Sequence, residues 1–148
     1  DPDSPRRSLE IGFAGYCQIA SRFRRPIRLL YREVGFMPPN TRTNVIGTVS
    51  SVINYFESII TKGIEAGVFH PVPARLAALD IMLIAHMIAL HTREVRTLGD
   101  LDFYVKHQLD IIFAGLLAEP RKRATSSTAR QRGKASAGRT PRKAGHRG

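Results

Sequence analysis

The chain has 148 residues, with 23 Lys and Arg against 12 Asp and Glu, but residues 121 to 148 hold ten of the basic side chains and no acid. The first 120 residues are nearly neutral and contain 58 members of the hydrophobic set, against five alanines in the last 28. This divides the chain into a body, residues 1–120, that can bury one small core, and a basic tail, residues 121–148, that cannot; the body is too short for the large α/β enzyme folds.

In chain order, Leu9, Phe13, Tyr16, Ala20, Phe23, Ile27, Leu30 and Val34 recur at steps of four and three, the spacing of a helical stripe. Pro26 falls inside that stripe, where an interior proline costs about 3 kcal/mol. The stripe therefore reads as two helices broken near Arg24 and Arg25, with Pro26 in the first turn of the second and Gly35, Pro38 and Pro39 ending it. A long amphipathic helix follows, carrying Val45, Val49, Val52, Phe56, Ile60 and Ile64 and stopping at Gly67, a good left-handed cap.

After the connector Phe69 to Pro73, a helix is expected from Ala74 to about Val95, apolar on nearly every face and so buried all round. Thr97 and Asp100 offer N-caps for a last helix bearing Leu101, Val105, Leu109, Ile112 and Leu116, ended by Gly115 and Pro120. No window alternates with the period of a strand, so the fold is expected to be all-α with five helices. The tail, RKRATSSTARQRGKASAGRTPRKAGHRG, has neither periodicity nor a large aliphatic residue and is expected to be disordered.

Several kinds of chemistry find no support. The single Cys17 excludes an intrachain disulfide and fits a reducing, cytoplasmic compartment. The longest apolar run, Ala77 to Leu90, is broken by Asp80 and His86 and is shorter than the roughly 18 to 20 residues of a membrane span, so no membrane partner is expected. The opening Asp1-Pro2-Asp3 carries no secretory leader and fits a sequence that begins inside a longer protein. Of the five histidines, only His91 with Glu94 approaches a metal-ligand spacing, in reverse order and without a second copy, so no metal or other cofactor is expected. With no nucleophile elbow or phosphate loop, nothing argues for an enzyme, and Cys17 reads as a packing residue.

The stretches SRFRRPIRLLYREV, YFESIITKGIEAGVFHPVPARLAALDIMLIAHM and DFYVKHQLDIIFAGLL, in this order, resemble the C-terminal ligand-binding and dimerisation domain of the tetracycline-repressor (TetR) family of transcription regulators. The resemblance runs from about Leu9 to Leu117, and its most specific part is the Gly-x-x-x-Gly-x-Phe helix exit at Gly63, Gly67 and Phe69. The family's helix-turn-helix head has no counterpart in the few residues before Leu9, so the chain is expected to lack its own operator reader. Val72-Pro73 stands where the family often has an aspartate before the proline, which removes that N-cap.

The resemblance implies a small, mostly apolar effector and a homodimer. The expected pocket residues are Tyr16, Tyr31, Tyr55, Phe56, Met82, His86 and Met87, although aromatic and methionine side chains at helical spacing equally form plain core. A buried His86 needs a partner, which a tyrosine hydroxyl, Asp80 or a polar group of the ligand could supply. The dimer interface is expected on the last two helices, at Ala78, Ile81, Ala85, Ile88, Ala89, Leu109, Ile112 and Phe113.

Two basic regions remain. The run Arg22, Arg24, Arg25, Arg28 and Arg32 reads by default as a solvated face. The tail residues Arg121, Lys122, Arg123, Arg130, Arg132, Lys134, Arg139, Arg142 and Lys143 suit sequence-blind attraction to phosphates, with no aromatic among them for base stacking. They support an alternative reading, a basic-tailed helical dimer that binds nucleic acid nonspecifically.

Overall fold

The computed structural model describes residues 4–117, in which every regular element is helical. The expectations for residues 121–148, disorder and phosphate binding at Arg121, Lys122, Arg123, Arg130, Arg132, Lys134, Arg139, Arg142 and Lys143, lie outside the described residues. Helix α1 spans Pro5–Arg22; the Ser4 hydroxyl accepts from the Arg7 N–H at 3.2 Å, and Pro5 stands in the first turn, where no carbonyl awaits its missing N–H. Leu9, Phe13, Cys17 and Ala20 of α1 are buried.

The chain breaks at Phe23 before α2, Arg24–Glu33. In a continuous helix the Pro26 ring would collide with the Arg22 carbonyl, so the interruption falls between them. A single 3-10 turn, Val34–Phe36, leads to α3, Pro39–Glu65, which buries residues only from Ile53 onward. Its exit follows from two glycines and one ring. Gly67 has φ of 69°, the left-handed region, which lets the Val68 and Phe69 N–H groups both reach the Gly63 carbonyl. Phe69 then packs against α3 at Gly63, where an added Cβ would overlap the ring.

Helix α4 spans Ala74–Leu90, starts without a side-chain cap, and packs against α1, α2 and α3 as the central element of the core. The helix expected to continue to Val95 instead stops at Leu90, and a sixth helix, α5, runs from Thr92–Leu98 after a 95° bend. The expected count of five was thus one short. Locally, the Thr92 hydroxyl donates back to the carbonyls of Ile88 at 2.8 Å and Ala89 at 3.1 Å, occupying acceptors at the end of α4 while His91 leaves helical geometry.

Helix α6, Leu101–Leu116, is capped by the Asp100 carboxylate, which accepts from the Phe103 N–H at 2.8 Å. It packs on α1, and its buried Tyr104 donates to the Ile84 carbonyl of α4 at 2.7 Å. The His70 N–H donates to the Leu116 carbonyl at 2.9 Å, tying the end of α6 to the α3 exit. Among the described residues no single helix is long and apolar enough to cross a membrane; α4 and α5 would pass by composition only as a bent pair.

Candidate functional site

The core is apolar but for the Tyr104 hydroxyl and one imidazole. His86, on α4, is 3% exposed and is the one buried imidazole among the described residues. Both ring nitrogens are partnered: the Tyr16 hydroxyl of α1 lies 2.7 Å from Nε2, and the Tyr31 hydroxyl of α2 lies 2.8 Å from Nδ1. Of the partners the sequence left open for His86, a tyrosine hydroxyl stands at each ring nitrogen. The helix periods explain the convergence, since Tyr16 flanks the buried stripe of α1 beside Cys17, and His86 lies one turn beyond Met82 on α4.

Burial sets the protonation of this cluster. Desolvation lowers the pKa of His86 below its ordinary 6.5, so the imidazole is neutral at pH 7. The Tyr16 hydroxyl is pushed up to about 12, chiefly by burial and then by the neighbouring Tyr31 and Cys17, and burial raises Tyr31 as well. A neutral imidazole donates from one nitrogen and accepts at the other. With hydrogen on Nδ1, His86 donates to Tyr31, whose O–H is left free to donate outward; with hydrogen on Nε2, Tyr31 donates inward and its oxygen is left to accept. Tyr31 is 43% exposed, so the cluster carries a hydrogen-bond function that either tautomer can match from the interior to the surface.

Aromatic contacts extend the cluster. Phe56 of α3 meets Tyr16 edge-on with ring centroids 6.0 Å apart, and the Tyr55 ring stands edge-on to Phe56 at 5.2 Å. Tyr55 lies over α1 at Gly12, where a Cβ would stand 2.8 Å from the hydroxyl, and half of its surface is exposed. Of the seven expected pocket residues, Tyr16, Tyr31, Tyr55, Phe56 and His86 therefore form one connected group. Met82 is buried in the general core, and Met87, one step beyond His86, is partly exposed.

The backbone around this group is unevenly packed. Helix α2 rests against α4 yet buries none of its residues, and Leu29 and Tyr31 on it are exposed. Its contact with His86 through Tyr31 is the polar attachment of an otherwise lightly held helix.

Of the residues expected at the dimer interface, Ala78, Ile81, Ala85, Ile88, Ala89, Ile112 and Phe113 are buried within the protomer, and Leu109 is partly buried. The apolar side chains that α4 and α6 leave outside are Leu83, Met87, Phe103 and Ile111, with Leu76 at the start of α4. Cys17 is fully buried, and desolvation pushes its thiol up to about 12, far from the reactive thiolate range. His91 and Glu94 stand 3.9 Å apart at the exposed bend between α4 and α5. Among the described residues no three His, Cys, Asp or Glu side chains converge as metal ligands.

A family model described as tetracyclin repressor-like, C-terminal domain, matches residues 2–90, a span that contains the Tyr16, Tyr31 and His86 cluster and closes where α4 ends. No curated protein and no solved structure matches the chain.

Proposed function

Because the chain belongs to the tetracycline repressor-like C-terminal domain family, whose members are regulators with a general role in ligand binding and dimerisation, we propose that it binds a small, mostly apolar effector between α2 and the body formed by α1, α3 and α4. The observation that carries this reading is the Tyr16, His86 and Tyr31 relay, which joins a helix with no fully buried residue to the centre of the core. An apolar molecule inserted beneath α2 would bury surface that the helix now leaves uncovered, at roughly 25 cal/mol per Å2 of apolar area. Its single polar group would meet Tyr31, which the His86 tautomer sets as donor or acceptor. The effector would act by binding two placements of α2 unequally, which is the requirement for any ligand-driven shift.

The same reading includes a homodimer through α4 and α6, with Leu83, Met87, Phe103 and Ile111 as the contact residues, since the more deeply set Ala85 and Ile88 already serve the protomer core. Isologous pairing would cover these exposed side chains across a two-fold axis.

Thermal unfolding in the presence of medium-chain alkanols and their methyl ethers tests the pocket. Alkanols should raise the melting temperature more than the matching ethers, and Tyr31→Phe should abolish the difference. Equal shifts for both series, or shifts insensitive to Tyr31→Phe, would reject the relay as the reader of the ligand's polar group.

A further inference from the structure

The bend at His91 places the two helix breaks of the fold together. Turning through 95°, α5 brings Arg93 and Arg96 to the end of the molecule where α1 gives way to α2 and where Arg22, Arg24, Arg25 and Arg28 are gathered. Two adjoining grooves result, of about 480 and 560 Å3, with Arg28, Thr92 and Arg96 lining both. Those volumes are in the range of small-molecule sites.

Charge in the grooves is unbalanced. None of the six arginines lies within 4 Å of an acid among the described residues; outside the grooves, Arg6, Arg7, Arg32 and Arg75 are paired with acids, and Arg42 donates to the Gly35 and Met37 carbonyls. Glu94 is the one acid in the lining, and its carboxylate lies 3.9 Å from the His91 imidazole. Three of the arginines also lie in the first turn and a half of α2, where the helix dipole is positive and repels them further. Like charges held in a concavity raise the local potential and favour an anion there. Every Lys or Arg in the lining is arginine, whose planar fork pairs two N–H donors with two oxygens of one phosphate. The Phe23 ring, half exposed in the wall of the first groove, adds a flat apolar face.

From this arrangement we infer that the joined grooves form a second ligand site, distinct from the Tyr16, His86 and Tyr31 cluster, that takes a small molecule bearing two or more linked phosphates. A single phosphate would engage one groove; linked phosphates would span Arg28 and Arg96 and reach the outer arginines on both sides. An aromatic or apolar part of the ligand would lie on Phe23.

Calorimetric titration of the full 148-residue chain with inorganic tripolyphosphate tests the site, with sulfate at matched ionic strength as the reference. Tripolyphosphate should bind at least tenfold more tightly than sulfate, about 1.4 kcal/mol. The double variant Arg28→Gln with Arg96→Gln should weaken tripolyphosphate roughly tenfold or more, and Arg25→Gln with Arg93→Gln should weaken it from the opposite groove walls. Both variants should melt like the parent without ligand. A variant with Arg121→Gln, Lys122→Gln and Arg123→Gln should bind like the parent. Binding that follows the tail substitutions and ignores the groove substitutions would overturn the assignment. So would equal affinity for sulfate, or a groove that holds a DNA duplex but not tripolyphosphate.

Discussion

Replacing Tyr16 by phenylalanine removes one oxygen and leaves one ring nitrogen of His86 without its partner at 2.7 Å. Because His86 is 3% exposed, water has little access to that nitrogen, and a buried polar group deprived of its hydrogen bond costs about 1–3 kcal/mol. Tyr31→Phe removes the partner on the other nitrogen, but Tyr31 is 43% exposed and a water molecule can follow the hydroxyl out, so that substitution should cost under about 1 kcal/mol. The two hydroxyls share one imidazole, which can donate to only one of them while neutral. Their effects should therefore be non-additive, with a coupling of about 0.5–3 kcal/mol in a double-mutant cycle. Urea unfolding of the four proteins, followed by circular dichroism, measures this directly, provided that the slope with denaturant stays constant. Equal costs for the two single variants, or strict additivity, would refute the argument that one buried imidazole links an inner and an outer tyrosine.

Three further outcomes are expected. The folded pKa of His86 lies below its ordinary 6.5, so the unfolded chain binds the additional proton; the contribution of His86 to stability is complete above 6.5 and is lost as pH falls through the folded value. Unfolding between neutral and acidic pH should show that loss in the parent and a weaker one in His86→Gln. Gly63→Ala should destabilise by about 1–3 kcal/mol through overpacking against Phe69, and Phe69→Leu in the same chain should recover part of it, as thermal unfolding would show. Leu83→Arg with Ile111→Arg should leave the protomer's circular dichroism unchanged, since both side chains are exposed, while converting a dimer to monomer in sedimentation velocity.

Features with a local cause were legible in the sequence. Pro26 marks the α1 and α2 break through its own ring, Asp100 caps α6 with its own carboxylate, and the Gly63, Gly67 and Phe69 exit is a self-contained turn. The bend at His91 was not legible, because the apolar spacing continues through Val95 and the Thr92 back-bond competes with the helix without disturbing that pattern. Angular position on α4 was equally hidden. A helix apolar on nearly every face carries no sign of which side faces out, so the sequence does not show that Ala85 is buried within the protomer while Met87 is partly exposed. Tyr16 and Tyr31 stand out in the sequence as aromatic residues at helical spacing, but their shared hold on His86 joins positions 70 and 55 residues apart and has no local signal. The arginine grooves depend on the same unseen bend.

A small, mostly apolar molecule beneath α2, with its polar group on Tyr31, is what we propose this domain binds. The most direct test is native mass spectrometry of the chain purified from its own host, compared with Tyr31→Phe prepared in the same way. The parent should appear as a dimer carrying an added small-molecule mass that is released on denaturation, and Tyr31→Phe should clearly lose that mass. A ligand-free monomer, or an added mass retained equally by both proteins, would contradict the proposal.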